Sequence, residues 1–326
     1  MKCGIGCFKK RAGRCEAGER YFKKGRGHLL KPQKIRFEFM QAHSNEFPIK
    51  KMAKIFGVSR SGYYAYLARP SSSREKENCL LFLQIKSVYQ ENRQLYGSPR
   101  IHAALQKQGM SCSRKRVARL MNAHGIRAMV CKKKPHHKRV ITEAAPNLLK
   151  QDFSAHAPNM RWSGDISYIK SDEGWLYLAV ILDLFSRKVV SFSIGNHMKT
   201  ELVKDTLQKA RFKRAPSSGL VHHSDRGSQY TSHVFKGFCM ESGVVLSMNS
   251  GSCYDNAAIE SCFHTLKTEL IYLKKFRTKR EARMAIFEYI EVFYNRKRLH
   301  SALGYKSPKE FEQEYWENKW KKKICV

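Results

Sequence analysis

Two neighbouring stretches decide the fold: RWSGDISYIK at residues 161–170 and GWLYLAVILDLFSRKVVSFSI at residues 174–194. The first predicts a strand over residues 165–169, and the second predicts two more, over residues 175–184 and 188–194. Short apolar and β-branched runs separated by turn residues are typical of strands. The connections are short, so we expect three consecutive antiparallel strands.

The sequence downstream alternates between helices and short strands. We predict a helix from Thr200, a strand at residues 220–223, a helix at 232–242, a strand at 244–247 and a long helix that Asp255 caps. Three antiparallel strands followed by helix, strand, helix, strand and helix is the order of a ribonuclease-H-like fold. The predicted fold class is therefore α/β, with a mixed five-stranded sheet and flanking helices in the catalytic core.

Three acidic residues lie where this order would bring them to one end of the sheet. Asp165 lies in an otherwise apolar strand, where an unpaired carboxylate is costly to bury. Asp225 follows a strand and precedes Gly227, and Glu260 lies one turn into the last helix. Taken singly, Asp225 also fits a turn and Glu260 a solvated helix position. Together they predict a catalytic trio.

Converging carboxylates repel one another unless cations lie between them, and hard oxygen ligands favour Mg²⁺ or Mn²⁺. We predict that Asp165, Asp225 and Glu260 bind two such ions. Two ions can activate an attacking oxygen and stabilise the leaving oxygen in a displacement at phosphorus.

Other polar residues lie close to the trio in sequence. Lys267 and His264 share the helical face of Glu260, and we predict that Lys267 binds a DNA phosphate. The alternative for Lys267 is a surface Glu–Lys stripe. Asp183 is interpreted as the end of a hairpin strand and Asp255 as a helix cap.

The charge of the chain is strongly uneven. Its net charge is +35, and residues 1–150 hold 34 basic and 8 acidic side chains against 28 and 19 in residues 151–326. The large positive charge of residues 1–150 indicates a polyanionic partner, and nucleic acid is the usual one. The longest apolar run has eight residues, whereas a membrane-spanning helix needs about 20. We expect no membrane association, no secretory signal, and a cytoplasmic protein associated with the nucleoid.

Two helical pairs are predicted in the basic front half. Residues 49–56 have helical apolar spacing, Gly57 makes a turn, and Ser59 caps a helix that begins with Arg60. This pattern fits a helix-turn-helix with Arg60 on DNA, although an ordinary helical hairpin has the same spacing.

The second pair has equally clear boundaries. Ser98 and Pro99 begin a helix that Gly109 stops, and Ser113 begins another that ends at Gly125. Cations near a helix N-terminus gain nothing from the helix dipole, so external phosphates explain them better. The predicted DNA-binding residues of this helix are Arg114, Lys115, Arg116 and Arg119.

These patterns predict five regions along the chain. They are an unstructured basic extension (1–35), a helical DNA-binding region (36–130), a basic linker (131–157), the catalytic core with its C-terminal helix (158–315) and a basic tail (316–326).

Several stretches resemble one enzyme family nearly letter for letter. In the core they are RWSGDISYIK, GWLYLAVILDLFSRKVVSFSI, HHSDRGSQYTS, CYDNAAIESCFHTLKTEL and YNRKRLHSALGYKSP. Upstream they are FPIKKMAKIFGVSRSGYYAYL and YGSPRIHAALQKQGMSCSRKRVARLM. They resemble the second-frame (OrfB) catalytic subunit of IS-three-family insertion-sequence transposases, which belong to the retroviral-integrase-core superfamily.

The resemblance covers roughly residues 36–315 and implies a specific chemistry. It places the family's Asp-Asp-Glu triad on Asp165, Asp225 and Glu260, with 34 residues between the last two, and its usual basic residue on Lys267. It implies cleavage at the ends of a mobile element and joining of the freed 3′-hydroxyl to a new strand. Double-stranded DNA, further copies of the chain and a first-frame (OrfA) partner or fusion are the implied partners.

Residues 1–35 depart from the family pattern, and read-through from the upstream frame is one explanation. Two other functions stay open. One is a sequence-specific DNA-binding regulator with a relic catalytic domain, and the other is a ribonuclease-H-type nuclease. Intact acids at all three positions disfavour the regulator, and the long basic front end disfavours the plain nuclease.

Overall fold

A computed structural model describes residues 32–70, 72–129, 145–250 and 255–324. The chain divides into two compact units, Met1–Cys79 and Leu80–Val326. The predicted extension, residues 1–35, lies mostly outside the described residues. Its last residues were assigned wrongly, because a helix already begins at Gln33.

The described part of the first unit contains the short helices α1 (Gln33–Ala42), α2 (Ile49–Phe56) and α3 (Arg60–Ala68). Gly57 ends α2 in the left-handed conformation at φ 62°, and the Ser59 hydroxyl caps α3 by accepting a hydrogen bond from the Gly62 amide. The helices enclose their own small core, formed by Phe37, Met40, Met52, Ala53, Phe56 and Tyr63. Helix α1, absent from the prediction, supplies the first two of these side chains.

Three further helices precede the sheet: α4 (Ser73–Glu91), α5 (Ser98–Lys107) and α6 (Arg114–Ala123). Ser113 caps α6 as predicted, whereas the N-cap position of α5 is held by Gly97 and not by Ser98. Ile101 and Leu105 of α5 are fully buried in the same apolar cluster as side chains of the sheet. The α5–α6 pair belongs to the second unit, so the predicted helical region 36–130 spans parts of both units.

The sheet has five strands, as predicted: β1 (Arg161–Ser171), β2 (Gly174–Asp183), β3 (Val189–Gly195), β4 (Val221–Ser224) and β5 (Val245–Met248). Their spatial order is β3-β2-β1-β4-β5. β1 pairs antiparallel with β2 and parallel with β4, and β4 pairs parallel with β5. The sheet is therefore mixed, with β1 and β4 side by side at its centre.

Helices and short helical segments complete the second unit. They are α7 (Thr200–Arg214), α8 (Ser228–Thr231), α9 (His233–Glu241), α10 (Ala257–Leu266), a π-helical segment (Lys267–Ile271), α11 (Lys279–Phe287), a second π-helical segment (Glu288–Tyr294), a 3₁₀ turn (Ser301–Leu303) and α12 (Pro308–Ile324).

Each face of the sheet has its own apolar core, as the period-two geometry of a strand requires. On β2, Leu178 and Val180 join the cluster that includes side chains of α10 and α11, whereas Ala179 and Ile181 join the cluster with α7 and α9. Helix α10, which carries Glu260, thus packs on the face opposite to α7.

Two predicted boundaries need correction. In the predicted linker 131–157, residues up to 144 lie outside the description, but Leu149 is buried and the Leu148 amide donates to the Ser247 hydroxyl at 3.0 Å. The predicted tail 316–326 is helical as far as Ile324, because α12 continues through it. In the described ranges, none of the helices combines the length and apolar character needed to cross a bilayer.

Candidate active site

The register between β1 and β4 brings two of the predicted acids to neighbouring positions. Gly164 of β1 pairs with Ser224 of β4 as the last pair of a parallel ladder. Asp165 directly follows Gly164, and Asp225 directly follows Ser224. Both aspartates therefore come one residue after the same pair of the β1–β4 ladder. Adjacent parallel strands lie about 4.8 Å apart. The backbones of the two aspartates therefore lie at neighbouring positions at the centre of the sheet.

Both aspartates are held by backbone amides. Asp165 is 7% exposed, and its Oδ1 accepts from the Ile166 amide at 2.7 Å. Asp225 Oδ1 accepts from the Gly227 amide at 3.0 Å. A Cβ at residue 227 would lie 3.0 Å from that same oxygen, so glycine gives the Asp225 carboxylate the room to turn back.

A buried histidine joins the start of α10 to β4. His223 Nε2 lies 3.0 Å from the Asp255 carbonyl oxygen, which can only accept, so Nε2 carries the proton. Nδ1 then accepts from the Ser247 hydroxyl at 2.8 Å. Burial lowers the pKa of His223, which keeps the ring neutral in this role. His223 precedes Asp225 by two residues, so this bond brings the chain leading to Glu260 close to Asp225.

The predicted capping role of Asp255 is wrong. Helix α10 begins at Ala257 with Asn256 at the N-cap position, and no side chain caps it. Asp255 instead turns back along the chain, and its Oδ2 accepts from the amide and the hydroxyl of Ser250, both at 2.7 Å. Ser250, five residues earlier, thus supplies two of the hydrogen bonds that this carboxylate accepts.

Asp183 is a structural carboxylate. It is fully buried, and burial raises its pKa even though it accepts hydrogen bonds. Its donors are the amides of Asn159, Phe185 and Ser186 and the indole of Trp162. Asp183 therefore belongs to the hairpin and not to the acidic site.

The third predicted acid, Glu260, is exposed on α10, and so is His264 one turn later. Lys267 is half-buried and begins the π-helical segment, so the regular α-helical spacing that predicted a shared face with Glu260 ends at Leu266. Helix α10 packs against β1, the strand that carries Asp165.

The donor set suits a hard divalent cation, but the trio is not gathered into a closed cage. Across the four described ranges, no three His, Cys, Asp or Glu side chains come close enough to hold one metal ion. Carboxylate oxygens from Asp165 within β1 and Asp225 just after β4 nevertheless fit Mg²⁺ chemically. Asn256, four residues before Glu260, also has both amide atoms buried without a partner among the described residues. An unpaired buried amide is costly, which is consistent with a polar group binding beside it.

The predicted DNA-binding residues lie in both units. Arg60 is exposed at the start of α3 in the first unit. In the second unit, Arg114, Lys115 and Arg119 are exposed on α6, and Arg116 is half-buried there.

One buried polar cluster was missed by the sequence analysis. Glu269, in the π-helical segment after α10, accepts two short hydrogen bonds from Arg298, at 2.8 and 2.9 Å. The Tyr289 hydroxyl donates to it at 2.7 Å, and Arg100 of α5 lies 3.4 Å away. The cluster fixes the end of the α10 region. Its only sequence signal is the YNRKRLH stretch, which places Arg298 beside other polar residues without indicating a partner 29 positions away.

Family models match most of the chain from residue 76 onward. A model described as an HTH-like domain matches residues 76–135. Two models described as an integrase core domain match residues 155–251 and 260–315. The HTH-like match covers α4, α5 and α6, and does not cover the α2–α3 pair.

Curated relatives align with nearly their whole length. The chain is 38% identical to the transposase InsF of insertion sequence IS3A from Escherichia coli K12, over 85% of this chain and 98% of that one. It is 43% identical to the transposase of IS904 from Lactococcus lactis, over 75% and 98% of the two chains. It is 40% identical to a 31 kDa protein of IS600 from Shigella sonnei, over 81% and 98%.

The solved structures that match are more distant. A simian T-cell lymphotropic virus intasome in complex with the PP2A regulatory subunit B56 gamma matches 64% of this chain and 69% of its own, at 18% identity and TM-score 0.41. The HTLV-2 integrase catalytic core domain in complex with magnesium matches 49% and 99%, at 18% identity and TM-score 0.38. On the sequence relationships, the chain belongs to the IS3-family insertion-sequence transposases, with an HTH-like domain followed by an integrase core.

Proposed function

We propose that this transposase cleaves DNA at the ends of its insertion sequence and joins the freed 3′-hydroxyl to a new strand, with divalent metal ions bound by Asp165, Asp225 and Glu260. The observation that carries the proposal is the parallel register of β1 and β4, which anchors Asp165 beside Asp225. The bond from His223 to the Asp255 carbonyl supports it, because it ties the approach to Glu260 to the same strand end.

In this proposal, the protein promotes the reaction mainly by positioning the metal ions. The two aspartates would hold Mg²⁺ or Mn²⁺ at the sheet, and Glu260 would complete the ligand set from α10. Two bound ions would supply activation of the attacking oxygen and stabilisation of the leaving one. The Arg226 Nε–H donates to the Asn249 carbonyl at 2.7 Å, which secures the loop after Asp225 against the end of β5.

The proposed partner is double-stranded DNA, comprising the terminal inverted repeats of the element and its target. Lys267 is the proposed phosphate ligand beside Glu260. Arg60 and the cations of α6, namely Arg114, Lys115, Arg116 and Arg119, are proposed to contact the DNA backbone. We further propose a homo-oligomer on DNA, a first-frame OrfA partner or fusion, and a cytoplasmic, nucleoid-associated location.

The decisive experiment incubates the purified full chain with labelled element ends, with and without Mg²⁺. We expect nicked and joined products with Mg²⁺ only. Asp225→Asn should abolish both products while DNA affinity stays within a few-fold of that of the unchanged protein, because the substitution removes a metal ligand and not a DNA contact. Asp205→Asn, an exposed acid on α7, is the matched control and should keep full activity.

Three results would count against the proposal. Cleavage by the Asp225→Asn protein would remove the assigned site. Nicking without joining would favour a plain nuclease, and DNA binding without any cleavage by the unchanged protein would favour the DNA-binding regulator.

A further inference from the structure

A cationic cavity lies beside the helix that carries Glu260. It has a volume of about 370 Å³ and is lined on one side by small residues of α10, including Ala257, Ala258 and Ser261. The opposite side brings together three arginines from distant parts of the chain: Arg100 of α5, Arg187 of the β2–β3 turn and Arg298. Ser261 directly follows Glu260 along α10, so the cavity lies against the helix that carries this acid, although Glu260 itself does not line it.

The three arginines differ in how fully they are paired inside the protein. Arg298 is nearly buried and makes a bidentate pair with Glu269, and Arg100 shares that single carboxylate at 3.4 Å. Arg187 is half-buried, and its guanidinium forms no hydrogen bond or close ion pair with any described residue. A guanidinium carries five N–H donors, so Arg187 retains an unused donor fork beside the cavity.

The lining of the cavity is positively charged, although Glu269 behind it pairs with Arg298 and Arg100, and Asp183 attracts Arg187 electrostatically. No acidic side chain lines the cavity among the described residues, whereas three arginines and His300 do. The pKa of His300 is lowered to about 2, first by burial and then by the positive charges of Arg298, Arg100 and Arg187. Positive charge concentrated on a cavity wall favours an anionic ligand.

We propose that this cavity binds one phosphate group of the DNA backbone, with Arg187 as its principal ligand and Arg100 assisting. The planar fork of arginine matches the geometry of phosphate oxygens and binds them in a bidentate manner. The bound phosphate would hold the DNA strand beside α10. The inference rests on the proposed function for its choice of DNA as the source of the phosphate.

Two features favour a DNA phosphate over a free one. The cavity is several times larger than a phosphate ion needs, so it has room for adjoining sugar atoms. It also lies against α10, the helix that carries Glu260.

The first test measures inorganic phosphate binding to the full chain, without DNA or divalent ions. The thermal unfolding midpoint is followed against phosphate concentration, with chloride at equal ionic strength as reference. We expect the unfolding midpoint of the unchanged protein to increase saturably with phosphate. Arg187→Gln should bind phosphate at least about tenfold more weakly, because charge-assisted hydrogen bonds are lost. Arg296→Gln removes an exposed arginine outside the cavity and should bind phosphate normally.

A second variant protects the test against misfolding. Ser261→Glu places a negative charge on an exposed position at the cavity wall without removing any packing, and should weaken phosphate binding in the same way. The proposal is overturned if phosphate raises the midpoint no more than chloride does, or if both variants bind phosphate as the unchanged protein does.

The second test asks whether the phosphate comes from DNA. Saturating phosphate should weaken DNA binding by the unchanged protein beyond the effect of chloride, and should not do so for Arg187→Gln. Phosphate binding without such competition would assign the cavity to free phosphate and overturn the DNA assignment. Neither test requires cleavage, so loss of the proposed catalytic function would leave the phosphate result standing.

Discussion

The two helical pairs of this transposase, α2–α3 and α5–α6, follow the same local rules but belong to different cores. In each pair a serine caps the second helix, at Ser59 and at Ser113. The first pair buries Met52 in a small core shared only with its neighbouring helices. The second buries Leu105 in a cluster with β1, β2 and α10.

A matching local pattern does not determine which core a helical pair joins. Caps and turns depend on residues three or four positions apart, so similar sequences form similar helical pairs. The core that a pair joins depends on contacts with residues a hundred positions away. The α5–α6 pair is therefore part of the framework that supports α10, besides any role on DNA.

The largest expected effect comes from deleting a core side chain in each pair. Leu105→Ala should lower the free energy of unfolding of the second unit by about 2–5 kcal/mol, because the fully buried leucine leaves a cavity in the core shared with the sheet. Met52→Ala should cost a similar amount in the first unit only. Hydrogen exchange of the strand amides distinguishes the two variants, because only Leu105→Ala should reduce their protection. Unchanged protection in Leu105→Ala would contradict the assignment of α5 to the core of the sheet.

Acid should unfold the second unit before the first. Burial lowers the pKa of His222 to about 3 and that of His300 to about 2, and lowers that of His223. The unfolded chain takes up these protons below about pH 6.5, and the folded unit does not. Stability is therefore complete above that pH and falls by up to about 1.4 kcal/mol per pH unit for each histidine below it.

The measurement is the urea midpoint of the second unit between pH 7 and pH 4.5. His222→Phe should reduce the change of this urea midpoint with pH by roughly the contribution of one histidine. An equal pH dependence in the two proteins would contradict the assignment of His222 as a buried neutral ring.

Removing the two helix caps should have smaller, local effects. Ser59→Ala and Ser113→Ala should each cost about 1 kcal/mol, because an amide in the first turn loses its acceptor. We expect the first change to move only the unfolding transition of the first unit and the second only that of the second. Ser61→Ala, exposed within α3 and not a cap, is the control and should be neutral.

The smallest effects concern DNA affinity. If both pairs contact the backbone, Arg60→Gln and Arg119→Gln should each reduce the slope of log affinity against log salt by about one, with a few-fold loss of affinity. Filter binding across a salt series measures both slopes. An unchanged slope for Arg119→Gln alone would restrict DNA contact to the first pair.

The sequence predicted those features that depend on local chemistry or on strand order. The Ser59 and Ser113 caps depend on residues a few positions away, whereas the three-stranded meander and the mixed five-stranded sheet were predicted from the order of the elements along the chain. The capping role of Asp255 was predicted wrongly, because the carboxylate had a closer partner in Ser250. The spacing of residues along the chain could not show whether Asp255 accepts from the first turn of α10 or from Ser250.

The remainder depends on long-range contacts. Arg187 lines the same cavity as Arg100 and Arg298, although it lies 87 or more positions from each of them in the sequence. No periodicity in the sequence indicates that these arginines come together. The same applies to His223, whose bond to the Asp255 carbonyl spans 32 positions. For the acidic site, the strand register brings Asp165 and Asp225 to neighbouring positions, whereas the participation of Glu260 stays a prediction.

The central claim is that Asp165, Asp225 and Glu260 share divalent ions, and Mn²⁺ binding measured by electron paramagnetic resonance tests it most directly. The full chain, bound to element-end DNA, should take up Mn²⁺ saturably, and Asp165→Asn, Asp225→Asn and Glu260→Gln should each abolish that uptake. The Asp205→Asn control should bind Mn²⁺ as the unchanged protein does. Normal Mn²⁺ uptake by the Glu260→Gln protein would contradict the claim.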